Sequence, residues 1–226
     1  RTTLGQCGGI IMAITVIFTF VLLQSTFAHA DQRSAHTPAY YLAKVFEIGK
    51  DIGHAETLQA ILMQESRGVK RAVGNPGAPL HMRSFGLMQV QLVAARSILT
   101  RHPTLLSEYF PNRSLKSVSN QELANLLLDN DDANIIIASH HFKLYYDLSH
   151  GNWARAVAAY NVGIGGVKRI ANPAAFPYVK AVQRWKSNTV RPFNTLNGLS
   201  LTEENWFQTM YQRLTQNNNN KGTKNG

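Results

Sequence analysis

Helical spacing of apolar residues is the feature of this sequence that most limits its fold. From Pro38 onward, successive segments place Leu, Ile, Val and aromatic residues three and four positions apart, which is the spacing of one face of an α-helix. No segment shows the two-residue alternation of apolar and polar side chains that is typical of a half-buried strand. The sequence therefore predicts a mainly α domain without internal repeats.

Capping and breaking residues set the ends of the predicted helices. Gly68 is a favourable stop after a helix at residues 56–66, and Asn152 is a favourable cap for a helix at residues 153–161. Residues 74–83 contain two Gly and two Pro and are expected to form a loop. The other predicted helices span residues 40–49, 86–99, 121–128, 132–148 with Asp131 or Asp132 as cap, 177–185 opened by Pro177, and a last one that begins after Thr202.

The first thirty residues have the pattern of a secretory signal peptide. Residues 10–23 form an apolar run of fourteen positions with two Thr, which is shorter than the roughly twenty residues of a membrane span. The small residues Ala28 and Ala30 then form a cleavage pattern. We predict cleavage before Asp31 and export of the mature chain. An uncleaved segment, which would give the chain its one membrane contact, is the alternative.

The charge of the chain favours an anionic partner. It has 23 Lys and Arg against 13 Asp and Glu, a net charge of +10. Such a balance suits nucleic acid, a membrane surface or a cell-wall polymer. No basic run is longer than two residues, and there is no zinc-finger spacing or RNA-recognition signature. Together with the export pattern, this argues against nucleic acid.

Glu65 is an acidic residue on an apolar helix face. It lies four residues after Ile61 and three after Leu62, so it shares their side of the predicted helix. Apolar surroundings raise the pKa of a carboxyl group, and a carboxylic acid that keeps its proton near neutral pH can act as a general acid. The alternative is an ordinary solvated glutamate, or one paired with Arg67 or Lys70.

Two long stretches of the chain contain no acidic residue. Residues 66–107 hold six Lys or Arg and no Asp or Glu, and residues 148–202 hold seven Lys or Arg and none. If both stretches line one site, that site is expected to be a basic cleft with a single carboxylate.

Other polar residues are expected to have structural roles. The acids at residues 129–132 are expected to cap a helix. The adjacent His140 and His141 are expected to be ordinary packing or surface residues.

Four short motifs follow one another along the chain. They are E-S at residues 65–66, S-F-G-L-M-Q-V at 84–90, A-Y-N-V-G-I-G at 159–165 and P-Y-V-K-A-V at 177–182. In this order they resemble the motifs of the soluble lytic transglycosylase family. The resemblance covers residues 40–190 and implies a lysozyme-like helical domain with room for a small β hairpin near residues 74–86. The implied organisation is then a signal peptide (1–30), a lytic transglycosylase domain (31–190), a C-terminal helical extension (191–215) and a disordered tail (216–226).

The resemblance also implies roles for individual residues. Glu65 matches the catalytic acid/base, and Tyr178 matches the tyrosine whose hydroxyl hydrogen-bonds that carboxyl group. The commonest family pattern has a supporting Ser nine residues after the Glu, where this chain has Gly74, so Ser84 is the candidate for that support. An aromatic residue that often follows the E-S pair is also missing. The substrate-binding residues implied by the resemblance are Met88, Gln89, Tyr160, Asn161 and Gly163.

The implied activity is cleavage of the β-1,4 bond between N-acetylmuramic acid and N-acetylglucosamine in peptidoglycan. A single carboxyl group, without metal or cofactor, would form a 1,6-anhydro-muramic acid end and consume no water. Two alternatives remain open. One is a hydrolase similar to goose-type lysozyme, and the other is a catalytically weak wall-binding accessory of a secretion, pilus or conjugation machine. An active enzyme that serves such a machine is also compatible with the motifs.

Overall fold

The computed structural model describes residues 37–199, and helices dominate them. The helices belong to the second of two units of the chain, Pro38–Gly226. The predominance of helices confirms the predicted mainly α, lysozyme-like fold class. The α-helices are α1 (Pro38–Lys50), α2 (Ala55–Glu65), α3 (Leu92–Arg101), α4 (Pro103–Tyr109), α5 (Asn120–Asp129), α6 (Asp131–Leu148), α7 (Trp153–Val167), α8 (Pro177–Trp185) and α9 (Arg191–Leu196). Short 3-10 segments lie at Leu80–Met82, Leu115–Ser117 and Pro173–Ala175, and a π-helical turn, Lys186–Val190, joins α8 to α9.

A small antiparallel sheet lies between α2 and α3. Its strands are β1 (Val73–Gly74), β2 (Ser84–Phe85) and β3 (Val90–Gln91), in that order across the sheet. In the register, Gly74 faces Ser84, and Ser84 faces Gln91 on its other side. The hairpin expected near residues 74–86 is therefore confirmed, and a third strand extends it.

The helix predicted over residues 86–99 begins later than expected. Gly86 has φ +72° and Gln89 has φ +50°, both in the left-handed region, so the chain turns twice before it enters β3. The α-helix starts only at Leu92. The prediction failed because Leu87 and Val90 repeat at helical spacing although a turn and a strand bury them, at 1 % and 2 % exposure.

Two central helices carry most of the core. Eight of the eleven residues of α2 are buried, and Leu58, Ile61 and Leu62 are completely inaccessible. α2 packs against α1 and α8, while α6 packs against α3, α5 and α7. Burying each Leu or Ile side chain contributes about 1.5–3 kcal/mol. The packing fixes α2 tightly, and its last residue, Glu65, is held at the edge of that core.

The cap of α6 differs from the prediction by one residue. Asn130 caps the helix, and its side chain accepts a hydrogen bond from an amide of the first turn. Asp131 and Asp132 lie in that first turn, where acidic side chains are favourable, and form ion pairs with Lys70 and Lys44 at 3.3 and 2.9 Å. The acids therefore tie α6 to neighbouring segments.

Helix α7 is longer than predicted and is kinked. Asn152 caps it as expected, but the helix continues past Asn161 to Val167. The kink lies at Gly163, which has φ +72° and ψ +160°, a conformation that glycine adopts without strain. The glycine-rich segment thus bends the helix where a separate turn was expected.

Packing continues beyond the predicted boundary at residue 190. Asn194, in α9, is buried and exchanges two hydrogen bonds of 2.8 Å with Gln59 of α2. No helix between residues 37 and 199 is both long and apolar enough to cross a membrane. The predicted signal peptide, the helix after Thr202 and the tail lie outside the described residues.

Candidate active site

A cleft of about 670 Å³ opens beside the end of α2. Its walls come from the sheet, from one face each of α3 and α6, and from α7 around its kink. Glu65 is the one acidic residue among the described lining residues, and Arg101 and His141 are the basic ones. The neutral polar side chains of the lining are Asn75, Ser84, Gln89, Gln91, Ser97 and Asn161.

The expected basic cleft with a single carboxylate is found only in part, because the described lining holds one carboxylate but few basic side chains. Lys70 and Arg71, from the first acid-free stretch, form ion pairs with aspartates. Arg83 and Arg96 donate to backbone carbonyls. Arg101 is therefore the one Lys or Arg of the described chain that lines the cleft. A lining rich in neutral amides and hydroxyls suits a sugar polymer.

Glu65 ends α2 with a half-buried carboxyl group that faces the cleft. The Tyr178 hydroxyl donates a hydrogen bond to Glu65 Oε1. Burial raises the pKa of the Glu65 carboxyl group, and the Tyr178 hydrogen bond, which favours the charged form, opposes part of that rise. Within the described chain, neither Arg67 nor Lys70 pairs with Glu65. The geometry therefore differs from that of an ordinary ion-paired surface glutamate.

Tyr178 remains protonated across the ordinary pH range. Burial raises the pKa of its hydroxyl well above the usual value, and the charge of Glu65 raises it further. Tyr178 lies in the first turn of α8, which packs directly against α2. The two residues that the sequence analysis assigned to acid/base chemistry and its support are thus in direct contact.

Ser84 binds Gln89, which corrects the expectation that it supports the Glu65 carboxylate directly. Ser84 Oγ donates to Gln89 Oε1 at 2.8 Å. Gln89 Nε2 donates in turn to the carbonyls of Ala72 at 3.0 Å and Gly86 at 2.9 Å. Gln89 lies in the cleft wall with all its amide atoms engaged. Ser84 therefore acts on the site by fixing Gln89.

Gly74 leaves the space that this arrangement needs. A Cβ atom at position 74 would clash with Ser84 Oγ and Gln89 Oε1. The paired position in the sheet brings Gly74 opposite Ser84, so the two residues compete for one volume. The Gly at 74, which departs from the commonest family pattern, and the Ser84–Gln89 hydrogen bond are therefore physically linked.

Met88 was predicted to be a substrate-binding residue, but its side chain is not part of the cleft lining. That side chain is completely buried in the core. The backbone of Met88 is what serves the site, since its N–H donates to Asn134 Oδ1 and its carbonyl accepts from the Tyr160 hydroxyl, both at 2.8 Å. Asn134 Nδ2 also donates to the carbonyls of Phe85 at 2.8 Å and Leu127 at 3.0 Å. One buried amide therefore holds the whole turn between β2 and β3.

Asn134 was not among the residues predicted from the sequence. Its signal in the sequence is a polar residue that stands at the start of an apolar run, A-N-I-I-I-A at residues 133–138. A buried amide in such a place needs hydrogen-bond partners, because leaving it unsatisfied costs about 1–3 kcal/mol. Only the fold shows that the partners belong to the turn that carries Gln89.

Tyr160, Asn161 and Gly163 all line the cleft. The Tyr160 hydroxyl is engaged by the Met88 carbonyl, so its ring, rather than its hydroxyl, is presented to the cleft. Asn161 is exposed and keeps its amide available. A Cβ atom at Gly163 would meet no neighbouring atom within 4 Å, so positive φ, not crowding, is what favours glycine there.

The model of the transglycosylase SLT domain family matches residues 48–177, more than half of the chain. The chain belongs to the transglycosylase SLT domain family. This confirms the resemblance drawn from the four motifs, and it supports a lytic transglycosylase-type function on peptidoglycan. No curated protein and no solved structure matches the chain.

The SLT match ends one residue before Tyr178. The assignment of this tyrosine therefore depends on its contact with Glu65. The match includes Glu65, the sheet, and the cleft faces of α3, α6 and α7, so the SLT domain supplies almost the whole cleft. Among residues 37–199, no group of three or more His, Cys, Asp or Glu is placed to hold a metal ion.

His141 is a cleft residue of this SLT domain that the sequence analysis treated as ordinary. Its ring lies 4.3 Å from that of Tyr145 and 5.7 Å from that of Tyr160. Burial lowers the pKa of His141 to about 4, so its imidazole is neutral near pH 7. His140 faces elsewhere and packs on His102 at 4.2 Å. The spacing of 141, 145 and 148 on one helix face was the available signal.

Proposed function

We propose that the protein cleaves the β-1,4 bond between N-acetylmuramic acid and N-acetylglucosamine, with Glu65 as the single acid/base, and leaves 1,6-anhydro-muramic acid ends. One observation carries the proposal. Glu65 is a desolvated carboxyl group, hydrogen-bonded by Tyr178, in a cleft whose described lining holds no second acid. A glycosidase of the two-carboxylate kind needs a partner acid to bind the cation or activate water.

The first step starts from the protonated form of Glu65, which burial favours. Glu65 donates this proton to the bridging oxygen, and the bond from C1 to that oxygen breaks with its electron pair on the oxygen. The N-acetyl group of the same sugar stabilises the positive charge that develops at C1. Tyr178 donates to Oε1, so the carboxylate left after proton transfer retains a hydrogen bond.

The second step reverses the role of the same carboxyl group. The Glu65 carboxylate takes the proton from the O6 hydroxyl of the muramic acid, and O6 attacks C1. A new C1–O6 bond closes the anhydro ring, Glu65 regains its proton, and no water enters the balance. Positioned proton transfer of this kind supplies about 10²–10⁴-fold in rate.

We also propose that the protein acts in the periplasm or cell envelope. The apolar run at residues 10–23 and the small residues after it support export. An association with a secretion, pilus or conjugation machine is proposed on the family resemblance alone. Affinity purification from envelopes under cross-linking tests it, because a free wall enzyme would bring down no machine component.

Mass spectrometry of digested peptidoglycan tests the reaction. The full chain is compared with Glu65→Gln and with Glu108→Gln, which removes an exposed acid on α4 outside the cleft. We expect products one water lighter than hydrolysed muropeptides from the chain and from Glu108→Gln, and a loss of at least about 100-fold in Glu65→Gln. Ordinary reducing ends would identify a hydrolase. A folded, fully active Glu65→Gln protein would overturn the role of Glu65.

A further inference from the structure

The cleft continues from the sheet into a groove between α3 and α6. On α3, Val93, Ser97 and Arg101 recur every four residues and therefore share one face. On α6, the facing residues include His141 and Leu148. We call this part of the cleft, lined by Val93, Ser97, Arg101, His141 and Leu148, the outer groove. Arg101 lies eight residues after Val93, and an α-helix rises 1.5 Å per residue, so the outer groove extends about 12 Å along α3.

Arg101 gives the outer groove an available positive charge. It is exposed, and its guanidinium forms no hydrogen bond or ion pair with another residue of the described chain. The neighbouring cations differ, because Lys70 and Arg71 are paired with acids and Arg96 is held by backbone carbonyls. His141 is neutral near pH 7, so Arg101 is the fixed charge of the described lining.

Exposed apolar side chains lie in the same cleft. Val93 is 68 % exposed and Leu148 is 51 % exposed, and both line the outer groove. Val162, beside the kink of α7, is 39 % exposed and lines the cleft as well. Single exposed apolar residues are common, but several in one concave site are typical of a ligand surface. The ligand that fits them carries small apolar groups and an anion.

We propose that the outer groove binds the stem peptide of the glycan strand, with the Arg101 guanidinium paired to a free carboxylate of that peptide. This inference rests on the proposed function, because it takes peptidoglycan as the substrate. The sugar backbone offers neutral hydroxyl and amide groups, whereas the stems carry carboxylates and the methyl groups of alanine. Arg binds a carboxylate through two parallel hydrogen bonds, which gives direction as well as affinity.

A second carboxylate could come from the same polymer. Where an amidase has removed the stem, the lactyl group of muramic acid carries a free carboxylate directly on the sugar ring. The position of Arg101 favours the stem, since it lies at the end of α3 farthest from β3 and Gln89. A peptide that extends from the sugar spans that length, with its methyl groups against Val93 and Leu148.

The test measures KM and kcat on three forms of uncross-linked glycan strand. The forms carry native stems, stems whose free carboxyl groups have been chemically amidated, or no stems after amidase treatment. The variant is Arg101→Gln. The matched control is Arg169→Gln, which removes the same charge from an exposed residue outside the cleft. Equilibrium dialysis of the strands against both substitutions in a Glu65→Gln background measures binding without turnover.

We expect Arg101→Gln to raise KM about fivefold on native stems, with kcat little changed, since a partly exposed charge pair contributes modestly. On amidated stems and on stripped strands, Arg101→Gln and Arg169→Gln should behave alike. Equal behaviour of the two variants on native stems would overturn the proposal, and an equal loss on stripped strands would reassign Arg101 to the lactyl carboxylate. If strands bind but are not cleaved, the proposed reaction fails while dialysis still decides the role of Arg101.

Discussion

The two ends of the cleft are built in opposite ways. At the Glu65 end, which we call the reaction end, three polar side chains are tied to partners within the chain. Ser84 holds Gln89, Tyr160 holds the Met88 carbonyl, and Tyr178 holds Glu65. In the outer groove, Arg101 has no partner in the described chain, and Val93 and Leu148 are largely exposed.

This difference matches the demands of the two tasks. Acid/base chemistry needs groups held to within a fraction of an ångström, and fixed hydrogen bonds supply that precision. Binding a flexible substituent needs accessible charge and apolar surface instead. Substitutions at the reaction end should therefore change stability and rate, whereas those in the outer groove should change binding alone.

The largest effect is expected from Asn134→Ala at the reaction end. The substitution leaves the buried Met88 N–H and the carbonyls of Phe85 and Leu127 without their partner. At about 1 kcal/mol for each group, the free energy of unfolding should fall by about 3 kcal/mol. Urea denaturation measures this against Asn125→Ala, an exposed amide on α5. Equal unfolding midpoints would show that Asn134 does not hold the turn.

Tyr178→Phe should have the next largest effect. A hydrogen bond to a charged group contributes about 1.5–3 kcal/mol, so kcat should fall about 10- to 100-fold. The lost bond favoured the charged carboxylate, so its removal raises the pKa of Glu65 further above the usual value. The alkaline limb of the pH–rate profile, where Glu65 loses its proton, should then move to higher pH. Tyr146→Phe, outside the cleft lining, is the control. An unchanged pH–rate profile in Tyr178→Phe would show that Tyr178 does not influence the pKa of Glu65.

Gly74→Ala tests the shared volume in the sheet. The new methyl group meets Ser84 Oγ and Gln89 Oε1, and overpacking of this kind costs about 1–3 kcal/mol. Gly77→Ala should be nearly neutral, because nothing lies within 4 Å of a Cβ atom there. Adding Ser84→Ala to Gly74→Ala should recover part of the loss in a thermal melt. If the losses of stability from the two substitutions were strictly additive, the side chains at positions 74 and 84 would not compete for the same space.

The smallest effect is expected from Val93→Ser in the outer groove. Val93 is 68 % exposed, so the free energy of unfolding should change by less than about 0.5 kcal/mol. KM for strands with native stems should rise by about twofold, since little apolar area is lost. Val69→Ser, at 58 % exposure outside the cleft, should leave KM unchanged. A marked loss of stability in Val93→Ser would mean that the two ends of the cleft are less different than described.

Sequence reasoning predicted the elements whose limits are set locally. Pro177 opens α8 and Asn152 caps α7, because a fixed φ and a side-chain acceptor act within one turn of the chain. The two-residue strands of the sheet are too short to show any period. Apolar residues of β3 and of the turn before it are buried at helical spacing, so residues 86–91 resemble a helix in the sequence. The positive φ of Gly86 and Gln89 interrupts that helix in the structure.

Residues of the candidate site could be predicted from the sequence only where they belong to a motif. The motifs named Glu65 and Tyr178, which the fold brings into contact across 113 residues. Periodicity places His141 and Arg101 on helix faces, but it does not reveal what those faces meet. Arg71 is paired with an acid, whereas the Arg101 side chain is free within the described chain. This difference depends on which distant segments the fold places beside each cation.

The contacts that complete the reaction end also fix when it can form during synthesis. Gln59 of α2 bonds to Asn194, 135 residues later, and Glu65 bonds to Tyr178. A growing chain that has released α2 therefore carries the proposed acid long before its hydrogen-bond donor exists. Contacts of such sequence separation form late in folding. The Glu65–Tyr178 contact can therefore form only after α8 has been synthesised, and chains that end before α8 lack it.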